Sequence, residues 1–206
     1  MNKNRLEALS DNVFSIVMTL LVFEISVPVL SAVPSNGELL AHLQSLIPVF
    51  ISYFISFAVL AMFWISHNFF YNSITTEINR TLVLLNMLYL SFLALLPFSA
   101  HLLGEYSSVQ VAVVLYGLNV LLIGIIATAV LNYAVYSRDI DTSHIASRLL
   151  KQARIRSVLT PMCTLIGILC VFVSVPLGLF FFALPIVFNM IPGTLNFAEW
   201  IFGIKL

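Results

Sequence analysis

Residues 45–71, SLIPVFISYFISFAVLAMFWISHNFFY, run without a single Asp, Glu, Lys or Arg. A helix crosses the roughly 30 Å hydrocarbon core of a bilayer with about 20 apolar residues at about 1.5 Å each, so this run predicts a transmembrane helix. Outward from it, polar or proline breaks separate five further apolar runs, at 9–30, 81–103, 107–136, 155–175 and 177–192. The chain of 206 residues is 61% hydrophobic and 9% charged, against about a quarter charged in soluble domains. The expectation is an all-α membrane protein, one six-helix transmembrane domain over residues 1–206. Pro176 precedes the last run and Pro185 interrupts it, so a re-entrant or tilted final segment is the alternative to a sixth full span.

The basic residues give the runs an orientation, because cytoplasmic loops retain Lys and Arg during insertion. Lys3 and Arg5 precede the first run, and Arg80 lies between the second and third. Arg138, Arg148, Lys151, Arg154 and Arg156 fill the junction of the fourth and fifth, and Lys205 follows the sixth. With six spans all nine fall on one side, which predicts both termini in the cytoplasm; five spans would put Lys205 outside. Nine acidic residues balance them, leaving no basic surface for nucleic acid. The N-terminal stretch looks like the start of a signal peptide. It carries Glu7 and Asp11 and lacks a small-residue cleavage site, so it is expected to stay as the first span.

The junction SRDIDTSHIASRLLKQARIRS, residues 137–157, is the one long polar stretch. Asp141 or Thr142 can act as N-cap, and Ile145, Leu149 and Leu150 at helical spacing predict a short amphipathic helix running into the fifth span. Its basic face suits anionic lipid headgroups. Cys163 and Cys170 are seven residues apart, on the order of 10 Å along a helix and too far for a disulfide. The first three spans do not align with the last three by motif, which disfavours an inverted-repeat transporter.

Polar groups inside a span are costly and face a partner or a water-filled path. Span 1 carries Ser10, Asp11, Asn12, Ser15, Thr19 and Glu24; span 2 carries Trp64, His67 and Asn68; span 3 carries Asn86. The orientation places Asp11, His67 and Asn86 at one level in the cytoplasmic third of the bilayer. The Asp11 carboxylate and Ser10 hydroxyl can pair there with Trp64, His67 and the Asn86 amide. Such a network is either a proton relay or cation site, or a polar clamp fixing span 1 against spans 2 and 3. One Asp and one His are too few for a tight cation cage or a zinc site, so no metal and no cofactor is expected.

At about 100° per residue, Asn12, Ile16, Thr19, Leu20 and Phe23 share one arc of span 1, away from Ser10 and Asp11. That arc is a plain lipid-facing or packing stripe, or it meets the same helix from neighbouring subunits about an axis and lines a pore. Glu24 near the outer end either concentrates cations at such an axis or reaches to the interface.

Three motifs then occur in order: Arg5-x-x-x-Leu9-Ser10-Asp11 followed by VFSIVMTLLVFEISVP, then Phe63-Trp64-x-x-His67-x-x-Phe70, then Asn86 followed by LLPF at Leu95 to Phe98. Over residues 5–98 this resembles the transmembrane protein 175 family of potassium channels, whose prokaryotic members are six-span tetramers. Its animal members are lysosomal, with two such units per chain. The family signature has Phe where this chain has Leu9. The resemblance implies a homotetramer in a prokaryotic inner membrane, with K⁺ as the permeant ion. Span 1 lines its pore, Ile16, Leu20 and Phe23 form the constriction, and Asn12 and Thr19 are polar pore residues. Arg5, Ser10, Asp11, Trp64, His67 and Asn86 form the clamp. Phe23 is bulkier than the aliphatic residue expected there.

No TVGYG-type carbonyl filter and no arginine-rich span occur, so a leak-like channel with an apolar neck is expected, selecting K⁺ through its weaker hydration and closing by dewetting. The alternative is a small proton-coupled transporter using Asp11 and His67. An enzyme is disfavoured because Gly-x-Ser-x-Gly, His-Glu-x-x-His and paired membrane-depth aspartates are missing.

Overall fold

The structure, a computed structural model, describes residues 2–26, 35–75, 77–137, 140 and 145–190. They form eight α-helices: α1 (Lys3–Leu20), α2 (Asn36–Ser45), α3 (Ile47–Phe69), α4 (Arg80–Leu93), α5 (Leu96–Glu105), α6 (Gln110–Tyr136), α7 (Ser147–Val171) and α8 (Val175–Met190). Five helical stretches are long and apolar enough to cross a membrane: Lys3–Glu24, Ile47–Ile74, Arg80–Glu105, Gln110–Tyr136 and Ser147–Val171. The sixth, α8, is apolar but has 16 residues, about 24 Å at helical rise.

Local chemistry explains where these helices start. The Asn2 side chain caps α1 by accepting from the Asn4 amide at 3.1 Å, so the first helix begins six residues before the predicted start at residue 9. A 3₁₀ turn, Leu21–Glu24, continues it. Ser35 and Glu38 close a reciprocal capping box at the start of α2, a helix that hydrophobicity alone did not predict. Asn79 caps α4 through the Leu82 amide at 2.9 Å. Pro97, near the start of α5, lacks the amide that would reach Leu93, and the predicted single run 81–103 is two helices breaking there. The expected amphipathic segment and fifth span are one continuous helix, α7. Asp141, Thr142, Arg138 and Lys205 lie outside the described residues.

Packing follows from small residues and polar bonds between helices. At Gly117 an added Cβ would stand 2.5 Å from the Phe182 ring, and at Gly167 2.6 Å from it, so α6, α7 and α8 converge on one aromatic side chain. Pro161 within α7 leaves the Ser157 carbonyl without its helical donor. The Thr128 hydroxyl of α6 lies 2.7 Å from that oxygen and 2.8 Å from the Gly124 carbonyl of its own helix, so its one proton, shared between the two, stands in for the missing amide. Asn79 Nδ2 donates to the Tyr133 hydroxyl at 2.7 Å, tying the start of α4 to the end of α6.

Candidate functional site

Leu6, Ser10, Phe14 and Val17 of α1 and Leu21 of the 3₁₀ turn that continues it are buried, a stripe at helical spacing that fixes which side faces the protomer. Ser10 Oγ donates to the Leu6 carbonyl at 2.9 Å and accepts from Asn86 Nδ2 at 3.0 Å. Asn86 Oδ1 lies 3.0 Å from His67 Nε2, so the one amide bridges α1, α3 and α4. A second bond runs at the edge of this cluster, where Trp64 Nε1 donates to Asp11 Oδ1 at 3.0 Å. The structure thus brings Ser10, Asn86 and His67 together in the interior and Asp11 with Trp64 beside them. Arg5 is exposed and has no bond to either group among the described residues.

Aromatic rings enclose His67. Tyr89 stacks on it at 5.8 Å and 12°, Tyr71 lies 4.6 Å away, and Phe14 meets it edge-on at 5.6 Å. The sequence reading missed these three, although each stands three or four residues from a network member on its own helix: Phe14 from Ser10, Tyr71 from His67, Tyr89 from Asn86. A π-helical turn, Phe70–Ile74, follows directly after α3 and carries Tyr71.

The opposite side of α1 is open. Ile16 is 57% exposed, Leu20 43% and Phe23 76%, and Asn12 and Thr19 are exposed with them. In a 3₁₀ turn residues three apart eclipse, so Phe23 continues the line of Leu20 while Glu24 follows buried Leu21.

Comparison with known proteins now bears on this geometry. The family model described as endosomal/lysosomal potassium channel TMEM175 matches residues 5–97, the stretch that holds both bonded groups. A protein named potassium channel from Streptomyces collinus is 29% identical over 91% of this chain and 93% of its own length. The crystal structure described as a lysosomal potassium-selective channel TMEM175 homolog from Chamaesiphon minutus superposes with a TM-score of 0.79 at 26% identity, covering 91% of this chain and 96% of that one. The chain is similar to the transmembrane protein 175 channels, in sequence over residues 5–97 and in fold over most of its length. It is a multi-pass membrane protein whose named relatives are ion channels. The human relative, named endosomal/lysosomal proton channel TMEM175, is 37% identical over 47% of this chain and 20% of its own length. Matched stretches cover 65%, 93% and 49% of three bacterial relatives.

Within the transmembrane protein 175 framework the Ser-Asp pair of α1 divides its labour: Ser10 points into the protomer and Asp11 sits at the rim. Glu24 turns toward α5, where its carboxylate is 2.8 Å from His101 Nδ1. Neither reading of Glu24 from sequence, cation attraction at an axis or reach to the interface, includes this partner; its signal is a histidine at the outer end of the third span. Among the described residues no three His, Cys, Asp or Glu gather into a metal site.

Proposed function

We propose that this chain is the subunit of a homotetrameric, potassium-permeable channel in a prokaryotic inner membrane, with six spans, both termini cytoplasmic and α1 around a central axis. The observation that carries the reading is the division of α1 into a buried stripe bonded to α3 and α4 and an open stripe of Asn12, Ile16, Thr19, Leu20 and Phe23. The bonded cluster of Ser10, Asn86 and His67, with Asp11 and Trp64, acts as the clamp that sets the angle of α1. Rings of Ile16 and Leu20 strip part of the hydration shell, which costs K⁺ less than Na⁺, and the same neck closes by dewetting. Glu24, held by His101, supplies negative charge at the outer end.

Purified protein in liposomes with opposed K⁺ and Na⁺ gradients tests this. Currents should reverse near the K⁺ equilibrium potential, and Ile16→Asn should raise conductance while lowering K⁺ over Na⁺ preference. Unchanged currents in that variant remove the apolar neck. The name of the human relative gives proton permeation a place in the same assay: a pH gradient imposed across the liposomes reads it directly. A coupled Asp11–His67 transporter fits the geometry less well, since Trp64 takes Asp11 and Asn86 takes His67.

A further inference from the structure

Behind the clamp, a cavity of about 320 Å³ separates α3 and α4 from α6 and α7 and opens to the surface of the protomer. Met62, Phe63, Ala127 and Val130 are among its apolar lining, and His67 and Asn86 form part of the wall, so the groups that hold Ser10 of α1 also face this space. Its size and lining fall in the range of small-ligand sites, about 300–1,000 Å³ and mostly apolar with a few polar groups.

One formal charge lines the cavity: Arg156, joined by the polar Gln152, Ser157 and Asn189, with no carboxylate among the described lining residues. Arg156 is partly buried and, among the described residues, its guanidinium makes one bond, to the Asn189 carbonyl at 3.3 Å. A cation set against an apolar wall without an anion is costly. Arginine's remaining donors match a phosphate or carboxylate in fork geometry. Arg156 stands in the first half of α7, toward the end of the bundle that also carries Lys3, Arg80, Arg148 and Lys151, the side where anionic lipids are enriched if that side is cytoplasmic.

We propose that this cavity binds an anionic phospholipid of the adjoining leaflet, its phosphate on Arg156 and one acyl chain lying between α3 and α6. Charge complementarity selects this occupant: a neutral chain would leave Arg156 unpaired, and a free phosphate would leave the apolar wall unfilled. Binding stands apart from the channel reading. Its consequence rests on that reading, because an acyl chain against His67 and Asn86 presses on the two groups that hold α1.

Native mass spectrometry of the delipidated full chain, titrated separately with phosphatidylglycerol, phosphatidylcholine and inorganic phosphate, tests the site. Phosphatidylglycerol should saturate at one per subunit. Arg156→Gln should weaken it by about tenfold or more, the effect expected for losing hydrogen bonds to a charged group. Ala127→Leu, which fills the apolar end, should weaken it while leaving Arg156 intact. Lys151→Gln, an exposed cation outside the cavity lining, should leave it unchanged. Equal losses in Lys151→Gln and Arg156→Gln mean diffuse surface attraction and overturn the proposal. So does equal uptake of phosphatidylcholine, or competition by phosphate alone. Absence of uptake in every arm also overturns it. Flux in liposomes with and without phosphatidylglycerol reads the consequence separately: lipid uptake without any current would leave the site standing and fail the channel reading.

Discussion

Asn86 is the residue on which three helices depend, because an amide offers a donor and an acceptor in one plane and both are used, toward Ser10 and toward His67. Its replacement by Ala removes the hydrogen bond to the His67 ring inside the protomer, and a buried polar group so stranded costs about 1–3 kcal/mol. Thermal unfolding in detergent should therefore show a clear loss for Asn86→Ala. Asp11→Asn keeps an oxygen to accept from the Trp64 indole and should stay within about 0.5 kcal/mol of the parent. Equal losses for both would mean that the rim bond, and not the interior bridge, secures α1. Glu24 poses a different residue-scale question, since His101 competes for its carboxylate. If that carboxylate attracts cations, His101→Ala should raise K⁺ conductance and Glu24→Gln should lower it at low salt. Both effects should fade near 1 M salt, where the screening length falls to about 3 Å. Salt-independent changes would point to altered packing of the 3₁₀ turn instead.

Between helices, Thr128 and Pro161 form a compensating pair: proline withholds an amide from the Ser157 carbonyl and a hydroxyl on the neighbouring helix supplies the bond. Thr128→Val should cost about 1–3 kcal/mol by orphaning that oxygen. Adding Pro161→Ala restores the main-chain donor, so the double variant should recover stability relative to Thr128→Val alone. A double variant no better than the single one would place the loss in packing against Gly124, which lies 3.2 Å from the Pro161 ring when given a Cβ. This coupling also shows what the sequence can and cannot disclose. The apolar runs and the shared level of Asp11, His67 and Asn86 are readable, because bilayer thickness and charge placement constrain them before any contact is known. The start of α1 is not, as it turns on the side chain of Asn2, nor is α2, which is exposed and held by Ser35 and Glu38 rather than by hydrophobic periodicity. Glu38 illustrates the latter: bonds from the Ser35 amide and hydroxyl hold its carboxyl below the usual range. Its contribution to α2 is then present above the unfolded carboxylate pKa and is lost as pH falls through the lower folded value. The break at Pro97 was visible as LLPF, yet hydropathy runs straight through it. His101 and the rings around His67 needed partners from other spans, which spacing along one chain does not give.

For the molecule as a whole, the first of the five long stretches among the described residues has the least protomer cover, 28% buried against 33–50% for the others. An uncovered apolar stripe alone decides nothing in a membrane, where lipid tails solvate Ile16 as well as a neighbouring helix does. The polar residues break the tie. Asn12 and Thr19 share the open stripe, and hydrocarbon would leave the Asn12 amide unsatisfied, whereas an aqueous axis between copies would not. The Thr19 hydroxyl, bonded to the Ile16 carbonyl at 2.8 Å, tolerates either surrounding. Under the proposed homotetramer, chains of 22.9 kDa should elute in mild detergent at four times that protein mass. In a background lacking Cys163 and Cys170, Ile16→Cys should react with a charged, water-soluble thiol reagent and the current should fall. Leu165→Cys, 50% exposed on α7, faces outward in the same arrangement and should neither react nor alter the current. Reversal of that pattern, with Leu165→Cys modified and Ile16→Cys inert, would turn α1 toward lipid and put the water path elsewhere in the bundle.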